Sequence, residues 1–113
     1  MEEKNTEVKV GPYPFTIYLN QLNSDDDNIG QCFSYQQKIE LREHLAKDIL
    51  GSTICHELLH AMLFSAGVEF SKEQEDIICN ALDSPLYALL KDNKEFIIAL
   101  SNGTIENFFK GDL

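Results

Sequence analysis

Positive charge is what this chain has least of. Nine Lys and Arg stand against nineteen Asp and Glu, a formal net charge of −10 at pH 7. Nucleic-acid binding by phosphate neutralisation needs the opposite balance, and so does docking on an anionic membrane. Long apolar runs are scarce too, and no segment approaches the roughly eighteen apolar residues that cross a bilayer. The opening MEEKNTEVKV is acidic and polar, without the apolar centre of a signal peptide, so a cytoplasmic protein is expected. Cysteine occurs three times, at Cys32, Cys55 and Cys79. An odd number at wide spacing, with no C-x-x-C pair, excludes a disulfide framework and leaves three small buried hydrophobes. Internal repeats and low-complexity stretches are absent.

What remains is ordinary globular composition: 113 residues, 43% hydrophobic and 25% charged. At 12.8 kDa this is one domain spanning 1–113, with no room for a second core. The polar run at 23–28 holds three adjacent Asp but lacks the spaced ligands, central Gly and closing Glu of a calcium loop, so it reads as a solvated connection. Before and after it lie strand patterns. Residues 15–19 are β-branched and aromatic behind a Gly-Pro-Tyr-Pro stretch. Residues 31–35 and 38–41 alternate polar and apolar around a short Gln36-Gln37 link, which predicts a hairpin with one buried face.

From Leu45 the period changes. Leu45, Ile49, Leu50, Ile54, Leu58, Leu59, Met62 and Leu63 recur at threes and fours, predicting an amphipathic helix to about Ala66 with Gly67 as its stop. Gly51 inside it costs roughly 1 kcal/mol relative to Ala, so tertiary packing must hold that segment. Ser71 with Gln74 three residues on is a capping box for a second helix. Pro85 ends or kinks that helix, or starts another with Ser84 as cap. Residues 86–90 and 96–100 continue the helical pattern, and Asn102-Gly103 is a helix stop. Beyond it, 104–113 with Phe108 and Phe109 is expected to cap the core. The fold class predicted is α+β: an N-terminal hairpin or short sheet, then helices.

Within the first helix stands His56-Glu57-Leu58-Leu59-His60, an H-E-x-x-H. Residues four apart share one helix face, so both imidazoles can reach one ion. Glu57, rotated by about 100° from His56, lies beside that ion rather than on it, where it can hold a water. Three histidines in a chain of this length fall four apart in roughly one case in twenty, and the Glu requirement lowers that to roughly half a per cent.

Catalytic zinc takes three protein ligands and leaves one position open. Leu63 and Ala66 occupy the places where a longer H-E-x-x-H-x-x-G-x-x-H pattern would put Gly and His, which excludes that subclass. The candidates for third ligand are Glu73, Glu75 and Asp76 in the following helix, with Glu69 before it and Cys79 as a thiol alternative. Counted by threes and fours, Glu75 shares a stripe with Ile78, Leu82 and Leu86, the face expected to turn inward. Asp76 falls with Asn80, Asp83 and Tyr87 on a mostly polar face, and Glu73 with Ile77 and Ala81 on a shoulder. A carboxylate on the inward stripe needs a partner, and zinc would be one, which favours Glu75.

An H-E-x-x-H helix followed by a helix carrying Glu resembles the gluzincin zinc metallopeptidases. His60-Ala61 and Glu75-Asp76-Ile77-Ile78-Cys79 resemble their minimal forms, the small phage-associated and ImmA/IrrE- or SprT-like zincin domains, over residues 30–92. Gluzincins often carry Asp or Asn four residues after the ligand Glu. Here Cys79 follows Glu75 at that distance and Asn80 follows Asp76, which keeps Asp76 open as ligand. The resemblance implies Zn2+ on His56, His60 and Glu75, with Glu57 as general base to a zinc-activated water that hydrolyses a peptide bond.

Tyr13, Tyr18, Tyr35, Tyr87 and His44 are the candidate donors to the oxyanion. By analogy with zincins, the substrate is a peptide or exposed protein segment added to an edge strand, at 15–19 or 38–41. The acidic surface favours a basic one. A reading of another class is a non-catalytic module in which zinc ties the two helices and the protein works by binding. Glu57 argues for the enzyme, since a purely structural site gains nothing from a base.

Overall fold

Alternation in the first third and a 3.6-residue period in the rest produce an α+β architecture, a four-stranded mixed sheet followed by three helices. The computed structural model describes residues 4–19, 28–109 and 111. All of the polar run except Asn28 lies outside the described residues.

Strands β1 (Lys4–Val10) and β2 (Tyr13–Leu19) pair antiparallel across a turn with Gly11 at φ 58°. Strands β3 (Gly30–Phe33) and β4 (Lys38–Leu41) form the second hairpin. Its link is longer than Gln36-Gln37: a 3₁₀ turn at Ser34–Gln36 precedes Gln37, whose φ of 51° reverses the chain. The Gln37 side chain pins this turn to the first hairpin by donating to Pro14 O at 2.8 Å.

Strand β4 lies parallel to β2, so the order is β1-β2-β4-β3. Neither strand expected at the edge is there. Residues 15–19 and 38–41 are the apolar ones, and they take the two central places because a central strand buries more of its surface. The more polar β1 and the short β3 form the edges. One face of the sheet carries Val10, Phe15, Ile17, Ile39 and Leu41, all buried, with Phe15 and Ile39 wholly inaccessible. Burial of each such side chain contributes about 1.5–3 kcal/mol.

Helix α1 (Lys47–Ala66) covers that face and stops at Gly67, which is left-handed as expected. It is not amphipathic in the simple sense. Leu50, Ile54, Leu58 and Ala61 pack on the sheet, while Cys55 and Leu59 are buried away from that row, toward α2 (Lys72–Asp92). A helix lying between two layers needs apolar residues on both sides, which merges the stripes the sequence presents as one. An 18-residue stretch of it has a mean hydropathy of 1.2, enough by length and composition to cross a membrane, contrary to the expectation that no segment approaches this. In the fold, those side chains meet the sheet and α2.

Helix α2 begins at the expected capping box, Ser71 Oγ accepting from Gln74 N and Gln74 Oε1 from Ser71 N, both at 3.1 Å. It runs unbroken through Pro85. The proline neither ends the helix nor starts a new one. The Ser84 amide just before it is taken by Asp83 Oδ1 at 2.5 Å, a local partner where a proline disturbs the backbone ladder. Helix α3 (Lys94–Asn102) ends at left-handed Gly103. The described residues of the C-terminal stretch, 104–109 and 111, do not cap the core. Their 3₁₀ turn, Ile105–Phe108, packs on α3 with Phe108 edge-on to Phe96 at 5.6 Å, and Phe109 is 73% exposed.

Candidate metal centre

Helices α1 and α2 form an antiparallel pair, and their contacts run in opposite senses along the two chains. Asp48 Oδ1 accepts from Tyr87 Oη at 3.0 Å and lies 3.6 Å from Lys91 Nζ. His56 Nδ1 lies 3.0 Å from Asp83 Oδ2, and His60 Nδ1 lies 2.7 Å from Glu75 Oε1. A carboxylate can only accept, so Nδ1 of each ring is the donor. The two imidazoles stand one turn apart with centroids 5.0 Å from each other. With Nδ1 committed on both rings, Nε2 is the nitrogen each has for a metal, and a carboxylate behind a ligating histidine fixes its tautomer and strengthens it as a donor.

Glu57 is 6% exposed and turns toward strand β3. Gly30 makes room for it: a Cβ there would stand 3.3 Å from Glu57 Cγ and Oε2 and 2.7 Å from Thr53 Cγ2. Burial pushes the Glu57 carboxyl up, and His56 and His60 pull it back. Glu57, His56 and His60 share a cavity of about 300 Å³ with Gly30 to Cys32 of β3, Ser34, and Lys72, Glu75 and Asp76 of α2. A second cavity of about 360 Å³ lies on the His56 side, walled by Ile49, Thr53, Asn80 and Asp83.

The third-ligand candidates separate. The wholly buried residue of α2 is Cys79, and at about 100° per residue Glu75 and Asp83 lie about 40° to either side of it. The inward face is therefore centred between the two stripes read from the sequence: Asp76 and Asp83 face α1 as Glu75 does, while Leu82 is 47% exposed. Glu75 and Asp76 both line the cavity. Glu73 and Glu69 are exposed, and neither they nor Cys79 line it. Among the described residues no three His, Cys, Asp or Glu side chains converge on one point, and Glu75 is bonded to His60 Nδ1. The donor set nonetheless suits zinc: two imidazoles held from behind by Asp83 and Glu75, a buried acid beside them, and one further carboxylate, Asp76, within the same cavity.

Two residues of this site escape the sequence reading. Asp83 stands two turns along from Asp76, so its stripe was visible, but only the packing shows that the stripe faces His56. Lys72, the cavity's one Lys or Arg, had no signal beyond its place after the cap. None of the five proposed oxyanion donors lines this cavity. Tyr35 walls an adjoining one, which shares Ser34 and Glu75 with it. His44 is exposed beside Glu43, and Tyr87 is tied to Asp48. Cys32, Cys55 and Cys79 are free thiols. Burial pushes Cys32 up to about 11 and Cys79 to about 12, the latter with help from Glu75 and Glu57. Comparison with known protein families, with characterised proteins and with solved structures finds no match.

Proposed function

We propose that this protein is a zinc-dependent peptide hydrolase of the minimal gluzincin kind. The observation that supports it is the pair of imidazoles on one face of α1, each with Nδ1 on a carboxylate of α2, beside a buried glutamate. His56 and His60 would hold the ion through Nε2, and the third ligand would be a carboxylate of α2, either Asp76 or Glu75 released from His60 Nδ1. Zinc bound there supplies Lewis acidity toward a carbonyl and brings the pKa of water toward about 7. Glu57 takes the proton of the attacking water on a carboxylate oxygen and hands it to the departing amine nitrogen.

Substrate addition belongs to β3, not to β2 or β4. Strand β3 is paired only with β4 among the described residues, and it borders the cavity holding Glu57. A peptide laid along its outer edge uses main-chain hydrogen bonds for affinity. The net charge of −10 favours a basic segment.

Metal analysis of the purified protein beside Glu75→Ala and Asp76→Ala tests the centre. One zinc per chain, lost in one of the two variants, supports it and names the ligand; no zinc after reloading sinks it. Glu57→Gln then separates enzyme from binding module. A hydrolase keeps its zinc and loses turnover on basic peptides, whereas a structural tie between α1 and α2 is indifferent to the change.

A further inference from the structure

The cavity around the histidines opens on a second compartment. Beyond Ser34 and Glu75, which line both, lies a space of about 500 Å³, against about 300 Å³ around Glu57 and the imidazoles. Leu63 and Phe64 at the end of α1, with Val68 and Phe70 in the loop after it, form apolar walls. Tyr35, on the 3₁₀ turn after β3, completes them. Its ring stands edge-on to Phe64 at 5.4 Å, yet the residue is 93% exposed and adds little to the core.

Three sources of negative potential meet at this pocket. Glu69 stands exposed in the loop, and Glu75 brings a second carboxylate. Helix α1 ends on the same wall, and the negative end of its dipole has no basic residue in the last turn. No Lys, Arg or His is among the described residues that line the pocket. An acidic side chain is repelled from it, and an aliphatic or aromatic one leaves the carboxylates unanswered. A guanidinium satisfies both features. Its stem lies along the apolar walls, and its plane stacks on aromatic rings while the N–H groups face carboxylates.

We propose that this pocket receives an arginine side chain of the peptide laid along β3. The assignment deepens the hydrolase reading, on which it rests for the peptide itself, and makes Glu69 a specificity-determining residue. Ser34 follows directly on β3, so a peptide on that edge passes from the Glu57 cavity to the mouth of the pocket.

Nuclear magnetic resonance titration of the full chain tests the pocket, in chelator so that neither turnover nor metal contributes. The probes are capped peptides Ala-Ala-Xaa-Ala-Ala-Ala with arginine, norleucine, phenylalanine or glutamate at the third place. The arginine peptide is expected to bind about tenfold more tightly than the norleucine one, moving the amides of Tyr35, Val68, Glu69 and Phe70. Glu69→Gln lowers that preference to about threefold with circular dichroism unchanged, whereas Glu95→Gln on α3, equal in net charge, leaves it intact. Equal affinity for arginine and norleucine overturns the proposal, and so does tighter binding of phenylalanine or glutamate. Shifts confined to other residues overturn it as well, as does a failure of every peptide to bind at about 5 mM. Failure of the hydrolase reading has another signature: no zinc after reloading, with the arginine preference retained, removes the reaction and keeps the pocket.

Discussion

Replacing Gly51 by Ala will destabilise this protein, although helix propensity alone says the reverse. In a helix interior Ala is favoured over Gly by about 1 kcal/mol. At Gly51 the added Cβ overlaps the Tyr87 ring at Cε1 and Cζ, and Cδ1 is 2.8 Å away. The ring cannot yield freely. Its hydroxyl donates to Asp48 at 3.0 Å, Lys91 Nζ of its own helix stands 5.4 Å from its centroid, and on the other side of Gly51 the His56–Asp83 pair ties α1 to α2. Overpacking of this kind costs about 1–3 kcal/mol. Set against the propensity gain, Gly51→Ala loses up to about 2 kcal/mol, which lowers Tm by about 4–8 °C per kcal/mol in a domain near this size. Urea unfolding followed by circular dichroism, in chelator so that metal linkage is silent, measures it. The decisive comparison is the same change in a Tyr87→Ala background. With the ring gone, only propensity remains, and Gly51→Ala turns stabilising by up to about 1 kcal/mol. A wild type stabilised by Gly51→Ala, or an effect of one sign in both backgrounds, refutes the reasoning.

Asp83→Asn keeps the shape beside His56 but removes the charge from Nδ1, and zinc affinity falls about 10–100-fold in a chelator competition; unchanged affinity removes Asp83 from the site. Ser71→Ala deletes half of a capping box and costs about 1 kcal/mol in urea unfolding, a loss that a Ser71→Asp variant largely avoids. Cys79, wholly buried with its thiol near 12, presents a thiolate fraction on the order of 10⁻⁴ at pH 8. Because the neutral form persists until pH nears that value, iodoacetamide leaves Cys79 unlabelled in the native protein and modifies it in denaturant. Mass spectrometry of the peptide checks this, and rapid native labelling contradicts the packing of α2 on α1.

Helix ends were the most legible part of the fold, because they are local chemistry. The capping box at Ser71 and Gln74 and the glycine stops at Gly67 and Gly103 depend on residues within a turn of each other. Strand order was not legible, since residues 15–19 and 38–41 read equally well as edge or centre until β4 is seen parallel to β2. Pro85 misleads for a related reason. Proline disfavours the preceding helical backbone but does not forbid it, and packing of α2 on α1, with Asp83 taking the Ser84 amide, outweighs the local preference.

The site divides along the same line. His56, Glu57 and His60 were visible because one helix turn supplies all three, so spacing in sequence is spacing in space. The rest comes from another helix, and there periodicity locates a face without saying which residue sits at its centre. Cys79, a small uncharged side chain that counts for little in a stripe of leucines, is that centre. Once it is placed, the acidic residues to either side acquire distinct tasks: Asp83 stands behind His56 and Glu75 behind His60. The same rotation leaves Asp76 on the cavity wall and turns Glu73 to solvent. A sequence stripe that looked merely polar is therefore the one that completes the constellation, since carboxylates behind two histidines are costly to bury for stability alone.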